Sequence, residues 1–273
     1  MTTLKLGIIA RLEKGADEEF KKARDLNLPT CQLVCWDESL FTEEIGDKVM
    51  TASQKHGVEI TTVWVGYPGP AVWNFIEGPT TIGLVPPAYR EERIAALKAG
   101  ADFAAYIGAP SITTHAGFIP ETPNNPLYGD LLGALRQVVS HCGTLGLDFC
   151  FETGQETPVT LLRVIEDLGA DNLGINLDPA NLLMYGKANP VDALDVFGAH
   201  IVGVHAKDGD YPTNGRELGP EKPLGDGRVN FPKLVPKLKA LGYTGALTIE
   251  REITGPQQIA DIRRAIDLLT PLL

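Results

Sequence analysis

The stretch Leu147-Asp148-Phe149-Cys150-Phe151-Glu152 is a short β-prone run that stops on an acid, and three later stretches repeat the pattern. L-G-I-N-L-D (173–178) stops on Asp178, I-V-G-V-H-A (201–206) carries His205 at its end, and A-L-T-I-E (246–250) stops on Glu250. Runs of this length, rich in β-branched and aromatic residues and bounded by turn residues, read as buried strands. Working outward, four more runs of the same kind occupy 4–10, 30–36, 59–65 and 111–115. Between them lie longer amphipathic stretches with a period of 3.6, such as Arg93, Ile94, Leu97, Ala101, Ala104 and Ala105, with Arg90, Glu91, Glu92 and Lys98 set toward solvent. Gly57 and Gly146 mark helix ends just before new strands. Eight alternations of strand and helix predict one parallel sheet closed as a single (β/α)₈ TIM barrel domain over 1–273. An open doubly wound sheet with a dinucleotide would need a glycine fingerprint after the first strand, and Arg11-Leu12-Glu13-Lys14-Gly15 is not one. No close internal repeat or low-complexity linker divides the chain. Two connections, 66–87 and 207–230, are long and follow strands, on the face where such barrels keep their active sites.

The 273 residues are 44% hydrophobic and 22% charged, the composition of an ordinary globular chain. A formal charge of -11 with no basic run repels phosphate backbones, so nucleic acid is not an expected partner. The longest apolar runs fall well short of the roughly 20 residues that span a bilayer, and Lys5 and Arg11 interrupt any signal-peptide pattern. A cytoplasmic protein with no membrane partner is the expectation. Cys31, Cys35, Cys142 and Cys150 then read as reduced thiols, the first two as small core residues of a strand.

The four closing residues carry the chemistry. On a barrel the C-terminal ends of neighbouring strands converge, so Glu152, Asp178, His205 and Glu250 aim three carboxylates and one imidazole at one point. Any one of them is an ordinary strand-end polar group meeting solvent. Four in order on consecutive strands make a cluster of like charges that needs a cation. Oxygen ligands with one nitrogen suit one divalent ion, Mn2+ above all, with Mg2+, Co2+ or Zn2+ as alternatives.

With these residues stand the motifs T-H-A-G (114–117), F-E-T-G (151–154), N-L-D-P-A-N (176–181), H-A-K-D (205–208), P-L-G-D-G-R-V-N-F-P (223–232) and I-E-R-E (249–252). In this order and at strand spacing they resemble the xylose isomerase-like barrel superfamily of sugar isomerases and epimerases, of the D-tagatose 3-epimerase type. The resemblance covers nearly the whole chain. It implies that Glu152 and Glu250 are both metal ligands and the acid/base pair, with Asp178 and His205 completing the metal site. It implies abstraction of the proton α to a carbonyl, an enediolate, and return of the proton to the opposite face or the neighbouring carbon of a keto sugar or related polyol. Two positions depart from the epimerase pattern: Asn181 stands where a histidine is usual, and Tyr211 where an arginine is usual, leaving Arg216 the nearest arginine. These changes bear on contacts to substrate hydroxyls, not on the metal.

His115, at the end of the fourth strand, reads as a partner of a substrate hydroxyl or a proton shuttle. Asn181, Lys207, Arg216 and Trp64 complete the expected substrate-binding set, with Lys207 facing an oxyanion and Asp208 orienting a ligand from behind. For Trp64 and the Trp73-Asn74-Phe75 cluster two readings stand, stacking on a sugar face or closing a small satellite core. Arg11 reads as a solvated strand end, and His56, His141 and His200 as structural. Three other classes stand beside this one. A lyase or dehydratase of an inosose or oxidised glycoside would start from the same proton abstraction. An endonuclease IV-like enzyme would need more histidines than the five present. A sugar-binding barrel without catalysis would not require two opposed carboxylates. The expected partner is a small carbohydrate, in a protein that can form a homo-oligomer.

Overall fold

Eight parallel strands close on themselves in the order β1-β10-β7-β6-β5-β4-β3-β2 in the computed structural model, which describes residues 4–273. Residues 1–3 of the expected domain lie outside the described residues. The strands are β1 (Lys5–Arg11), β2 (Thr30–Cys35), β3 (Glu59–Val65), β4 (Ser111–Thr114), β5 (Asp148–Glu152), β6 (Leu173–Leu177), β7 (Ile201–Ala206) and β10 (Ala246–Ile249). Two short strands, β8 (Asp208–Gly209) and β9 (Glu221–Lys222), pair antiparallel within the long connection after β7. Closure is the parallel pairing of β1 with β10, Lys5 opposite Ala246 through Ile8 opposite Ile249. The expected barrel is the fold observed.

Helices between the strands start on recurrent signals. Asn125, Thr157, Asp178 and Asn189 each cap a helix with a side-chain oxygen and are each followed by proline. That proline loses no hydrogen bond at the first helical position and has its φ preset for it. Gly57 ends the helix Glu43–His56 at φ 66, in the left-handed region that glycine enters without steric cost.

Outward-facing residues such as Phe149 and Phe151 are fully buried under the helices, whereas the barrel interior is largely polar: Thr30, Gln32, Thr62, Thr113, Asn176 and Thr248 are all buried. Several expected strand ends shift by a residue, three of them at the site. His115, Asp178 and Glu250 lie just past β4, β6 and β10; Asp178 turns to cap the next helix, while the Glu250 N–H still donates to Ala206 O of β7. Arg93, in the helix Arg90–Tyr106, is fully buried. Its guanidinium donates to the carbonyls of Pro68, Pro70 and Gly83 and lies over the rings of Tyr67 and Tyr89, tying the long connection after β3 to the barrel.

Candidate metal centre

Glu152, Asp178, His205 and Glu250 each offer a ligand atom within 4.8 Å of the others. Glu152 ends β5, His205 is on β7, and Asp178 and Glu250 sit one residue beyond β6 and β10. His205 Nδ1 lies 2.8 Å from Glu250 Oε2, 3.5 Å from Glu152 Oε1 and 3.6 Å from Asp178 Oδ2. His205 Nδ1, Asp178 Oδ2 and Glu250 Oε2 are buried and have no hydrogen-bond partner among the described residues. Three bare acceptor atoms at one point, in a set of three carboxylates and an imidazole, make a donor set that could hold a divalent cation. The residues present therefore fit the group the sequence implies.

Electrostatics around the cluster agree. Burial acts against charge on the Glu250 carboxyl, yet Lys207 and His205 together outweigh it and hold Glu250 well below the usual carboxylate range. Burial likewise opposes charge on Glu152, and His115 and His205 overcome it. The His205 ring is desolvated, but Glu152 and Glu250 push its pKa well up.

Each remaining expected residue has a definite place. The Trp64 indole Nε1–H donates to Glu152 Oε2. Asn181 Nδ2 reaches Glu152 Oε1 at 3.3 Å, and His115 Nε2 lies 3.3 Å from the same oxygen. Lys207, fully buried, donates to Glu252 Oε1 at 2.8 Å and to Asn181 Oδ1 at 3.4 Å, and stands 3.5 Å from Asp178 and 3.7 Å from Glu250. Asn181 and Lys207 thus form a chain of polar contacts from Glu152 to Glu252. Arg216 is not brought to the site: its side chain is exposed in the connection after β7, while its backbone N–H donates to Asn214 Oδ1 and its carbonyl accepts from Phe75 N. Tyr211 is exposed too, donating to Gly186 O. Asp208 is buried beside Lys207. Its two oxygens accept from the backbone N–H groups of Gly209, Gly225, Gly227 and Val229, so it organises the loop beside the site.

Above the cluster opens a cavity of about 340 Å³ whose lining includes Arg11, Trp36, Trp64, Trp73, Tyr185 and Leu218. Trp36, Tyr185 and Glu252 were not picked out from the sequence, and Arg11 faces the cavity instead of bulk solvent. Trp64 and Trp73 pack edge-on or tilted against His115 at 5.7 and 5.2 Å, and Trp36 against Trp64 at 5.0 Å. The tryptophans therefore form one wall, and not a satellite core. Sequence reading also missed Gln155 and Glu156. Both are buried, the Gln155 amide and Glu156 Oε2 lack partners among the described residues, and burial lifts the Glu156 carboxyl to about 7.

A family model described as xylose isomerase-like TIM barrel matches residues 20–272, and the chain belongs to that family. A solved xylose isomerase domain protein from Planctomyces limnophilus is 34% identical with a TM-score of 0.93, over 98% of this chain and 97% of that one. A D-tagatose 3-epimerase-like protein shares the fold at 22% identity and a TM-score of 0.76, over 98% and 97%. A probable 3-DHS dehydratase from Bacillus anthracis shares it at 16% and 0.72, over 97% and 99%. An uncharacterized protein of Methanocaldococcus jannaschii is 30% identical over 153 residues, 52% of this chain, and the match spans 50% of that curated relative's length.

Proposed function

We propose that this protein is a metal-dependent sugar isomerase or epimerase that removes and returns a proton next to a carbonyl of a keto sugar or related polyol. The observation that carries the reading is the opposed placement of Glu152 and Glu250. They stand on strands separated by two others, with Asp178 and His205 between them, at the floor of an aromatic-walled cavity. A divalent ion held by these four residues supplies Lewis acidity, acidifying the α-proton of a chelating substrate. Mn2+ suits the oxygen-rich set with one nitrogen.

Glu152 is fixed by Trp64, His115 and Asn181, so its carboxylate presents one defined face. Glu250 is free of hydrogen bonds at Oε2 and presents the other. One takes the proton from the α-carbon, and the other returns a proton from the opposite side, inverting the carbon. Lys207, kept cationic by Asp178, Glu250 and Glu252, places positive charge where enediolate charge develops. The tryptophan wall excludes water and presents apolar faces to the C–H surface of a sugar. Four buried thiols without disulfides and a charge of -11 accord with a cytoplasmic enzyme whose partner is a small carbohydrate and not nucleic acid.

One observation favours a second reading, elimination by a dehydratase. His115 is a buried third proton carrier whose pKa, lowered by desolvation, is pushed back up past its ordinary value by Glu152, and an elimination needs such a group to protonate the departing hydroxyl. Incubating metal-loaded protein with a panel of keto sugars and inositol derivatives in D₂O separates the two. Solvent deuterium appearing at carbon in an otherwise saturated product supports the isomerase, and an unsaturated product supports elimination. Neither change across the panel contradicts both.

A further inference from the structure

Behind the metal cluster, inside the barrel, two buried amides meet the far side of the His205 ring. We propose that Gln32 and Asn176 are positioning residues that fix His205 with Nδ1 bare toward the cation and Nε2 carrying the hydrogen. The inference rests on the metal reading above. Gln32 on β2 and Asn176 on β6 are 2% and 1% exposed. Gln32 Oε1 lies 2.8 Å from His205 Nε2, and Gln32 Nε2 donates to Asn176 Oδ1 at 2.7 Å. That second bond ties the two amides together, so that one of them presents its oxygen to Nε2 and the other its NH₂, and in the structure the oxygen is that of Gln32. A neutral imidazole has one N–H, and with Nε2–H donated to Gln32 the lone pair is left on Nδ1, the atom that faces Glu250, Glu152 and Asp178. Asn176 Nδ2 stands 2.9 Å from the same Nε2 and can donate to it only when the hydrogen sits on Nδ1. Gln32 thus favours the tautomer that leaves Nδ1 bare, and Asn176, by accepting from Gln32, holds the amide that does so.

A neighbouring position is cut to fit. Gly203, opposite Asn176 in the β6/β7 register, would carry a Cβ only 2.3 Å from Asn176 Oδ1 and 3.5 Å from Gln32 Nε2. Glycine there makes the space in which the amides meet. The choice of amide also has an electrostatic reason. Metal-bound histidines often lean on a carboxylate, and here a fourth buried negative charge would add to three already present.

The test is Mn2+ binding by calorimetry to the full chain, with histidine 15N spectra of Zn2+-loaded protein as a second readout. Gln32→Met keeps the volume and removes the acceptor. It is expected to weaken Mn2+ binding about 10- to 100-fold and to shift the His205 signals away from an Nε2-protonated, Nδ1-bound ring. The shift of the His205 signals is a readout that a packing role would not move. Should Gln32→Met fail to fold, Asn176→Ser removes the group that orients Gln32 and is expected to weaken Mn2+ binding as well. Wild-type binding that either folded variant matches, with unchanged His205 signals, overturns the inference alone. Wild-type protein that takes up no Mn2+ overturns the metal reading and this inference with it.

Discussion

Glu152 and Glu250 bind at the same point but stand in different company, and that difference makes their roles testable. Glutamine at either position keeps an oxygen ligand and removes a base. Turnover is therefore expected to fall by roughly 10²- to 10⁴-fold, the contribution of a general acid or base, while Mn2+ still binds by calorimetry. Asp178→Asn is expected to act through metal affinity, so that excess Mn2+ recovers part of its rate. Equal rescue of all three variants by metal would leave the glutamates as ligands only. Glu156 allows a second test, on stability. Its folded pKa, raised by burial to about 7 from 4.5, means the folded state holds a proton that the unfolded state has released across that window. Its stabilising contribution is complete below 4.5 and is lost as pH rises through about 7, up to about 3 kcal/mol. Glu156→Gln keeps the neutral form at every pH. Urea midpoints measured from pH 4.5 to 8 should fall less steeply for the variant than for wild type, and parallel profiles would contradict the assignment.

At the scale of elements, the two long connections frame the cavity, and each hangs on one buried charged residue. Arg93 holds 66–87 through three carbonyls, and Asp208 holds the end of 207–230 through four N–H groups. Asp208→Ala leaves those donors without their acceptor and is expected to cost at least about 2 kcal/mol in urea unfolding. Amide exchange at Gly225, Gly227 and Val229 should speed up more than in the barrel strands, and uniform exchange would place the effect elsewhere. Strands and their catalytic-face ends were legible from sequence because a strand shows its period and a strand-end acid shows its position. The loops were legible only as long. Which of their residues reach the cavity depends on how 66–87 and 207–230 fold back, so Trp73 was noticed without its partner Trp36, and Arg216 was brought to a site that it does not reach. Arg93 was read on a buried face without a reason for burying a guanidinium, because its carbonyl partners lie 10 to 25 residues earlier. Gln32 gave no signal, and Asn176 stood in a motif without a role of its own. A polar residue inside a strand run looks like surface alternation until closure turns both into the barrel, 144 residues apart.

Over the whole molecule, the closed barrel turns a sequence order into a spatial cluster. Four strand ends spread over about a hundred residues of chain meet within 4.8 Å because β5, β6, β7 and β10 are neighbours in the sheet. Assembling that much negative charge without a cation costs stability, so removal of metal should lower the thermal midpoint and Mn2+ should restore it better than Ca2+, which favours more oxygen ligands than this site offers. A midpoint indifferent to chelation would count against a resident ion. The measurement that bears most directly on the account is an anomalous difference map from crystals of the protein soaked in MnCl₂. It should show one peak within bonding distance of Glu152, Asp178, His205 Nδ1 and Glu250. A map with no peak there, or with the manganese held by other residues, would contradict the account.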